Sequence, residues 1–157
     1  MVTGDEFRTV MRRAPASVCV ITIDVEGQRL GLTVATLVSL SLDPPLVGFA
    51  IRRDAALHQL LQEAGELAVS VLAAGQEDLA QHFARGVPPI AMWEGIALRV
   101  APGPPQLDGA AAWLRARLTQ WIETGDHSFF VARVEDAEPA PTSTRPLVLH
   151  SRAYESL

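Results

Sequence analysis

The sequence predicts a mainly β fold, an antiparallel barrel or sandwich with peripheral helices, in a single domain over residues 1–157. The apolar segments are short and rich in β-branched residues, as strands are. Most of them are joined by turns or short loops rather than by crossover helices, which favours antiparallel pairing. Only about three short segments carry the periodicity of helices. The chain length of 157 residues suits one domain with a real core.

The first predicted elements are a helix and a β-hairpin. Thr3 and Glu6 have the spacing of a capping box, and apolar residues follow at helical spacing. This pattern predicts a helix that ends near Pro15. The β-branched run at 17–24 and the segment 28–35 are then predicted to pair across an intervening Glu-Gly turn.

The middle of the chain alternates strands with short helices. A strand is predicted at 46–52, after a double proline, and a helix follows from 54 to 62. Gly65 is expected to end that helix, because glycine readily adopts the left-handed conformation of a helix C-terminus. A further strand at 67–72 and a short helix at 76–83 complete this part.

The last part is less regular. An irregular loop is predicted at 85–93, a strand at 96–100, and two final strands at 128–134 and 146–150. The segment 111–122 is ambiguous, because its apolar residues fit a helical face and also alternate as in a strand.

Composition excludes several classes of function. A net charge of −5 argues against broad binding to nucleic acid or anionic membranes. Cys19 is the single cysteine, the four histidines lack the spacing of metal ligands, and no apolar run is long enough for a membrane helix. The amino-terminal segment has no signal-type apolar core. We therefore expect a soluble, cytoplasmic protein without a metal, membrane or nucleic-acid partner.

The stretch 31–46, GLTVATLVSLSLDPPL, combines a strand-like apolar pattern with four short hydroxyl side chains. These hydroxyls either are satisfied polar groups in an ordinary sheet or face a ligand that needs many short hydrogen-bonding groups. The alternation in this stretch predicts that the two serines face the same side of a strand. The four hydroxyl residues are Thr33, Thr36, Ser39 and Ser41.

Five segments, in this order and spacing, resemble the flavin reductase-like family, the short reductases of two-component flavin monooxygenases. They are FRTVMRRAPASVCVIT (7–22), GLTVATLVSLSLDPPLVGFAI (31–51), LAVSVLAAGQEDLAQHFA (67–84), GDHSFFVARV (125–134) and PLVLHSRAY (146–154).

The resemblance implies an antiparallel Greek-key split β-barrel, a homodimer with flavin near the subunit interface, and strands at 111–122. It also implies hydride transfer from NADH or NADPH to FMN or FAD, with reduced flavin passed to a separate monooxygenase. The alternatives are a flavin-retaining oxidoreductase on the same barrel and a non-catalytic flavin- or haem-binding protein. Because the two nucleotides carry the redox chemistry themselves, the protein needs no acid–base pair.

Several residues are predicted to bind the flavin. The hydroxyl residues of 31–46, together with the backbone of the turn at 33–36, would line the ring and the ribityl chain, and Asp43-Pro44-Pro45 would hold them rigidly. The phosphate needs cations or convergent amides, which predicts a role for an arginine pair or for the end of the helix at 76–83. The predicted flavin residues are Thr33, Val34, Ala35, Thr36, Ser39, Ser41, Arg52, Arg53, Phe83, Ala84 and Arg85.

His127, in the turn before the strand at 128–134, is predicted to hold the nicotinamide over the flavin. The matching histidine has that role in the resembled family. Its neutral imidazole is expected to donate a hydrogen bond to the carboxamide. The competing interpretation is an exposed histidine in an Asx-type turn.

Overall fold

The computed structural model describes residues 1–86 and 88–157; residue 87, inside the loop predicted at 85–93, lies outside the described residues. The described chain contains three helices and ten strands, so the predicted mainly β fold with peripheral helices is confirmed. The helices are α1 (Gly4–Met11), α2 (Ala56–Ala64) and α3 (Glu77–Ala84). The strands are β1 (Ala16–Ser17), β2 (Cys19–Val25), β3 (Gln28–Val34), β4 (Val38–Leu42), β5 (Pro45–Arg52), β6 (Glu66–Val71), β7 (Ala112–Thr124), β8 (His127–Pro139), β9 (Leu147–His150) and β10 (Ala153–Ser156).

The main sheet has seven antiparallel strands in the order β3-β2-β6-β7-β8-β5-β4. The consecutive strands β6, β7 and β8 are neighbours, and β5, which precedes them in the chain, lies beside β8. This is the strand order of a Greek key. The two outermost strands, β3 and β4, are consecutive in the chain and are joined by residues 35–37 alone. The sheet must therefore curl until its two edges approach each other, as the predicted split barrel requires.

A small second sheet has the order β1-β9-β10, and Leu147 of β9 is hydrogen-bonded to Val18 and Leu72 next to strands β2 and β6 of the main sheet. Ser17, the first residue of the predicted strand 17–24, belongs to this sheet and pairs with Val148 rather than with the main sheet. The C-terminal strand β10 was not predicted from the sequence. It pairs with β9 through a two-residue turn, Ser151-Arg152.

The three helices lie close to their predicted positions. Thr3 and Glu6 form the predicted capping box at α1. Gly65 ends α2 with a φ of 65°, the left-handed conformation for which glycine is suited. The helix α2 begins two residues later than predicted, because Asp54 is occupied by ion pairing with Arg52 rather than by capping.

The core fills the inside of the curled sheet. Phe49 of β5 and Phe130 of β8 stack with ring centroids 5.7 Å apart, and both are fully buried.

The ambiguous segment 111–122 lies almost entirely in strand β7. This confirms the strand that the family resemblance implies, and the helical interpretation is wrong. Pairing between β7 and β8 extends far beyond the predicted segment 128–134, since β8 runs to Pro139.

The prediction of a strand at 96–100 is wrong. The pairing there is reduced to an isolated bridge between Leu98 and Leu107. The chain that returns opposite this segment contains Pro104 and Pro105, which have no backbone N–H to donate. The ladder therefore cannot extend on this side, and the segment stays irregular.

Among the described residues, no helix has the length and apolar character needed to cross a bilayer.

Candidate functional site

The junction between the two sheet edges brings the predicted threonines into place. Thr33 Oγ1 donates to the backbone oxygen of Ala80 in α3, at 2.7 Å. Thr36 Oγ1 accepts from the backbone N–H of Ala50 and donates to its carbonyl, at 2.9 and 3.1 Å. Thr33 thus anchors α3 to β3, and Thr36 bridges the junction to β5. Each hydroxyl also keeps unused acceptor capacity toward a ligand.

The two serines of β4 lie on opposite faces of the sheet, whereas simple alternation predicts that they share a face. A register shift lies between them, so that Ser39 pairs with Val47 and Ser41 with Leu46. Val47 and Leu46 are neighbours in β5 and point to opposite sides of the sheet. Because paired residues share a face, Ser39 and Ser41 are directed to opposite sides. The expectation failed because a β-bulge inserts one residue and breaks the period of two.

The other residues of the 33–36 turn differ in what they present. The Val34 side chain is buried in the core, so only its backbone is available to a ligand. Ala35 and Thr36 line an open cavity of about 690 Å³. A cavity of this size suits part of a nucleotide, and small side chains at its wall leave room for a flat ring.

The arginine pair at the end of β5 is engaged by carboxylates. Arg52 makes two hydrogen bonds to Asp54, at 2.9 and 2.7 Å, and Arg53 lies 3.4 Å from Glu123. Both arginines are exposed, so these pairs are weak and open to exchange with a phosphate.

His127 begins β8 and pairs with Arg52 of β5. Its Nδ1 lies 2.7 Å from a carboxylate oxygen of Asp126. This hydrogen bond from the imidazole lowers the pKa of Asp126 below its ordinary value. An ionised Asp126 can only accept, so it favours the tautomer with the proton on Nδ1. In that neutral tautomer Nε2 accepts a hydrogen bond, which reverses the donor role expected from the sequence.

The end of α3 packs against β3. The Phe83 ring is buried and fills the space over Gly31, where an added Cβ would lie 2.7 Å from two ring atoms. The phenylalanine side chain is therefore unavailable, and the predicted contact with a phosphate falls to the backbone at Phe83 and Ala84. The exposed Arg85 side chain donates to Gln81 Oε1 at 2.8 Å.

The structure therefore connects three parts of the predicted site. Thr33 links the turn to α3, Thr36 links it to Ala50 of β5, and β5 carries Arg52 beside His127. Ser39 and Ser41 face opposite sides of the sheet, so only one of them can face this junction, and Arg53 pairs with Glu123 of β7.

Sequence reasoning missed the rest of the cavity wall. Arg8 and Arg12 of the α1 region, and Arg152 of the β9–β10 turn, line the same cavity as Thr36. They lie within the segments 7–22 and 146–154 that carried the family resemblance, but no spacing rule joins residues from the two ends of a chain.

Burial raises the pKa of the Cys19 thiol to about 11. Such a thiol stays protonated and inert at neutral pH. No group of three or more potential metal ligands occurs in residues 1–86 and 88–157.

Comparison with known proteins identifies this architecture. A family model described as a flavin reductase like domain matches residues 11–157. The chain belongs to the flavin reductase like family.

Individual relatives share nearly the whole chain. The reductase component of 4-hydroxyphenylacetate 3-monooxygenase from Thermus thermophilus is 37% identical, over 98% of this chain and 96% of that protein. An NADH:FMN oxidoreductase from Rhodococcus qingshengii is 33% identical, over 98% of this chain and 81% of that protein. The solved structure of an NADH:FAD oxidoreductase from Streptomyces globisporus superposes with a TM-score of 0.93 at 30% identity, covering 100% of this chain and 96% of that one.

Proposed function

We propose that this protein is an NAD(P)H:flavin oxidoreductase that reduces FMN or FAD and passes the reduced flavin to a separate monooxygenase. The observation that carries the proposal is the junction of the two sheet edges, where Thr33 bonds to Ala80 of α3, Thr36 bonds to Ala50 of β5, and the same strand β5 pairs with His127 through Arg52. Membership of the flavin reductase like family, and relatives named as NADH-dependent flavin oxidoreductases, support it.

The residues at this junction fit a flavin. A flavin ring needs a flat, unobstructed wall, and Ala35 and Thr36 provide small side chains at the edge of a cavity. The bound nucleotides supply the redox chemistry, in which a hydride leaves nicotinamide C4 and joins flavin N5. The protein's task is to hold the two rings together and to exclude water.

His127 is the residue assigned to the nicotinamide. Asp126 fixes the imidazole orientation and leaves Nε2 to accept a hydrogen bond from the carboxamide N–H₂. No proton needs to move through this histidine during the reaction. His127 therefore acts as a positioning residue for the nicotinamide.

The decisive experiment follows the oxidation of NADH by its loss of absorbance, with FMN or FAD added in excess. The proposal expects a rate that rises with added flavin and saturates. An enzyme that retains its flavin would instead turn over a further substrate at a rate independent of added flavin. Tightly bound flavin with no NADH oxidation would contradict the proposal and favour a non-catalytic flavin-binding protein.

We also propose a homodimer, on the basis of an uncovered apolar face. Val38 pairs with Gly48, and Ile122 with Phe129, which puts these side chains on the outer side of the sheet. Leu40 packs beside Phe129 over Gly48, where no Cβ would fit. In the single chain Val38 and Leu40 are each 45% exposed and Ile122 is 60% exposed. A cluster of this kind favours a protein partner, and a second copy is the occupant that the family resemblance implies.

The homodimer is tested by sedimentation equilibrium of Leu40→Arg. A charge in a buried apolar contact is strongly unfavourable, so this variant should sediment as a monomer. Leu42→Arg is the matched control, because Leu42 is exposed in the same strand but pairs with Pro45, on the other side of the sheet. A wild-type monomer, or a Leu40→Arg variant that remains dimeric, would contradict this assignment.

NADH is the proposed reductant, since the named relatives from Rhodococcus and Streptomyces use it. A comparison of kcat/KM for NADH and NADPH tests this preference. A cytoplasmic location stays a prediction from the sequence.

A further inference from the structure

The cavity of about 690 Å³ beside Thr36 extends well beyond the predicted flavin wall. It lies between the end of α1, the start of β1, the junction of the sheet edges and the β9–β10 turn. Its lining is largely apolar, with Met11, Pro15 and Leu149 among its residues. Of the predicted flavin residues, only Ala35 and Thr36 are found in the described lining. The cavity therefore offers binding space beyond the predicted contacts of the flavin.

Three arginines reach this cavity from two separate parts of the chain. Arg8 is paired with Asp5 at 2.7 Å. Across residues 1–86 and 88–157, by contrast, no carboxylate lies within ion-pair distance of Arg12 or Arg152. Burial lowers the pKa of Arg12, and repulsion by Arg152 and Arg8 lowers it further against the attraction of Asp5. The cavity wall therefore carries three arginine side chains, of which only Arg8 is paired with a carboxylate among the described residues.

The β9–β10 turn fixes Arg152 in this position. Ser151 and Arg152 have φ angles of 49° and 69°, the left-handed region that residues with a Cβ rarely adopt. The backbone N–H of Ser151 donates to the carbonyl oxygen of Arg12 at 3.0 Å, which ties the turn to the end of α1. Positive φ at both central residues is what a two-residue type I′ hairpin loop requires, so the turn conformation follows from the β9–β10 pairing and gives Arg152 a defined place beside the cavity.

We propose that Arg12 and Arg152 form an anion site that binds the diphosphate of a dinucleotide substrate, NADH or FAD. Guanidinium groups bind phosphate oxygens through paired, charge-assisted hydrogen bonds. The phosphate next to the ribityl chain, which FMN and FAD share, has its own candidate groups at Arg52 and α3. NADH brings a separate diphosphate, and FAD adds a second phosphate joined to the shared one, so both dinucleotides carry negative charge that FMN lacks. This inference rests on the proposed function for the choice of ligand.

The direct test measures binding of inorganic pyrophosphate by calorimetry, without any turnover. The variant R12Q/R152N removes both charges while retaining the backbone carbonyl of Arg12, and asparagine tolerates the positive φ at position 152. Arg13→Gln is the matched control, since Arg13 is exposed and lies outside the cavity lining. We expect the double variant to bind pyrophosphate about tenfold to a hundredfold more weakly and the control to bind it normally. Equal binding by all three proteins overturns the proposal.

Steady-state kinetics then identify the source of the diphosphate. With FMN as acceptor, a rise of about tenfold or more in the KM for NADH in the double variant assigns the site to NADH. An unchanged KM for NADH, with a rise in the KM for FAD but not for FMN, assigns it to FAD. If neither value changes, the assignment of the site to a dinucleotide diphosphate is rejected while flavin reduction stands. Pyrophosphate binding that depends on the two arginines, in a protein that reduces no flavin, would reject the proposed function and keep the site.

Discussion

At the residue scale, the pair Asp126–His127 is the most sharply defined part of the candidate site. The 2.7 Å contact fixes the imidazole, and the exposure of His127 leaves its other nitrogen open to a ligand. The sequence was sufficient to select this turn, because the family resemblance includes it. The sequence could not predict whether His127 donates or accepts the hydrogen bond to the nicotinamide, since this depends on how the Asp126 carboxylate is oriented.

Removal of the imidazole tests the assignment of His127. In His127→Ala the nicotinamide loses one hydrogen bond, so the KM for NADH should rise by about tenfold while the Kd for flavin changes little. Steady-state kinetics and a flavin fluorescence titration give the two values. Unchanged NADH kinetics would show that this histidine does not contact the nicotinamide.

Asp126→Asn tests whether the carboxylate controls the histidine. The amide can donate or accept, so the tautomer of His127 is no longer fixed by this contact. We expect the KM for NADH to rise by less than in His127→Ala, by about threefold. The double variant should show no further loss, because both changes act through the same contact. Additive effects would indicate that Asp126 acts independently of His127.

At the element scale, Thr33 is expected to control the position of α3. Thr33→Val removes the hydrogen bond to Ala80 but keeps the size of the side chain, so unfolding should become easier by about 1 kcal/mol. If the end of α3 binds the flavin phosphate, the Kd for FMN should rise as well. Urea denaturation and a fluorescence titration measure the two effects.

Thr119→Val is the matched control for this experiment. Thr119 Oγ1 makes the same type of bond, to the backbone oxygen of Val131 at 3.0 Å, on β7 instead of β3. It should lower stability without changing the Kd for FMN. Equal effects of the two variants on flavin binding would argue against a role for α3.

Elements with strong local signals were predictable, and elements that depend on partners were not. The capping box of Thr3 and the glycine after α2 specify helix ends through local chemistry alone. The segment 96–100 has the composition of a strand, but prolines opposite it remove the partners that a ladder needs. The bulge in β4 could not be predicted from the sequence either, because it is defined by the register with β5.

At the scale of the whole molecule, the protein should lose stability in acid. The pKa values of Asp54, Asp126 and Glu135 are all lowered, chiefly by hydrogen bonds from Arg52, His127 and Arg117 respectively. Because the folded-state pKa lies below the unfolded value, this stabilisation is complete above the unfolded pKa. It disappears as the pH falls through the folded pKa.

We therefore expect the thermal midpoint to fall as the pH is lowered from about 6 to about 3. Glu135→Gln should weaken this dependence, since it removes the carboxylate that joins Arg115 and Arg117. Differential scanning calorimetry across this range provides the measurement. A variant with the same pH dependence as the wild type would exclude Glu135 as a contributor.

The order of the five family-like segments was enough to predict the class of fold. It was not enough to predict which distant segments of the chain contact each other. The approach of β3 to β4, and of Arg12 to Arg152, depends on closure of the sheet and on pairing between distant strands. The candidate cavity forms where these distant parts of the chain come together, which explains why none of its three charged lining residues, Arg8, Arg12 and Arg152, was predicted from the sequence.

The position of β4 at the edge of the main sheet has a practical consequence for handling the protein. An edge strand with apolar side chains and free backbone groups is a template for strand addition by other chains. In the homodimer proposed above, trimming Leu40 to alanine would weaken the contact between protomers while leaving that template uncovered, and the product would tend to aggregate. A charged residue at the same position would protect the edge as well, so it is the better route to a well-behaved monomer.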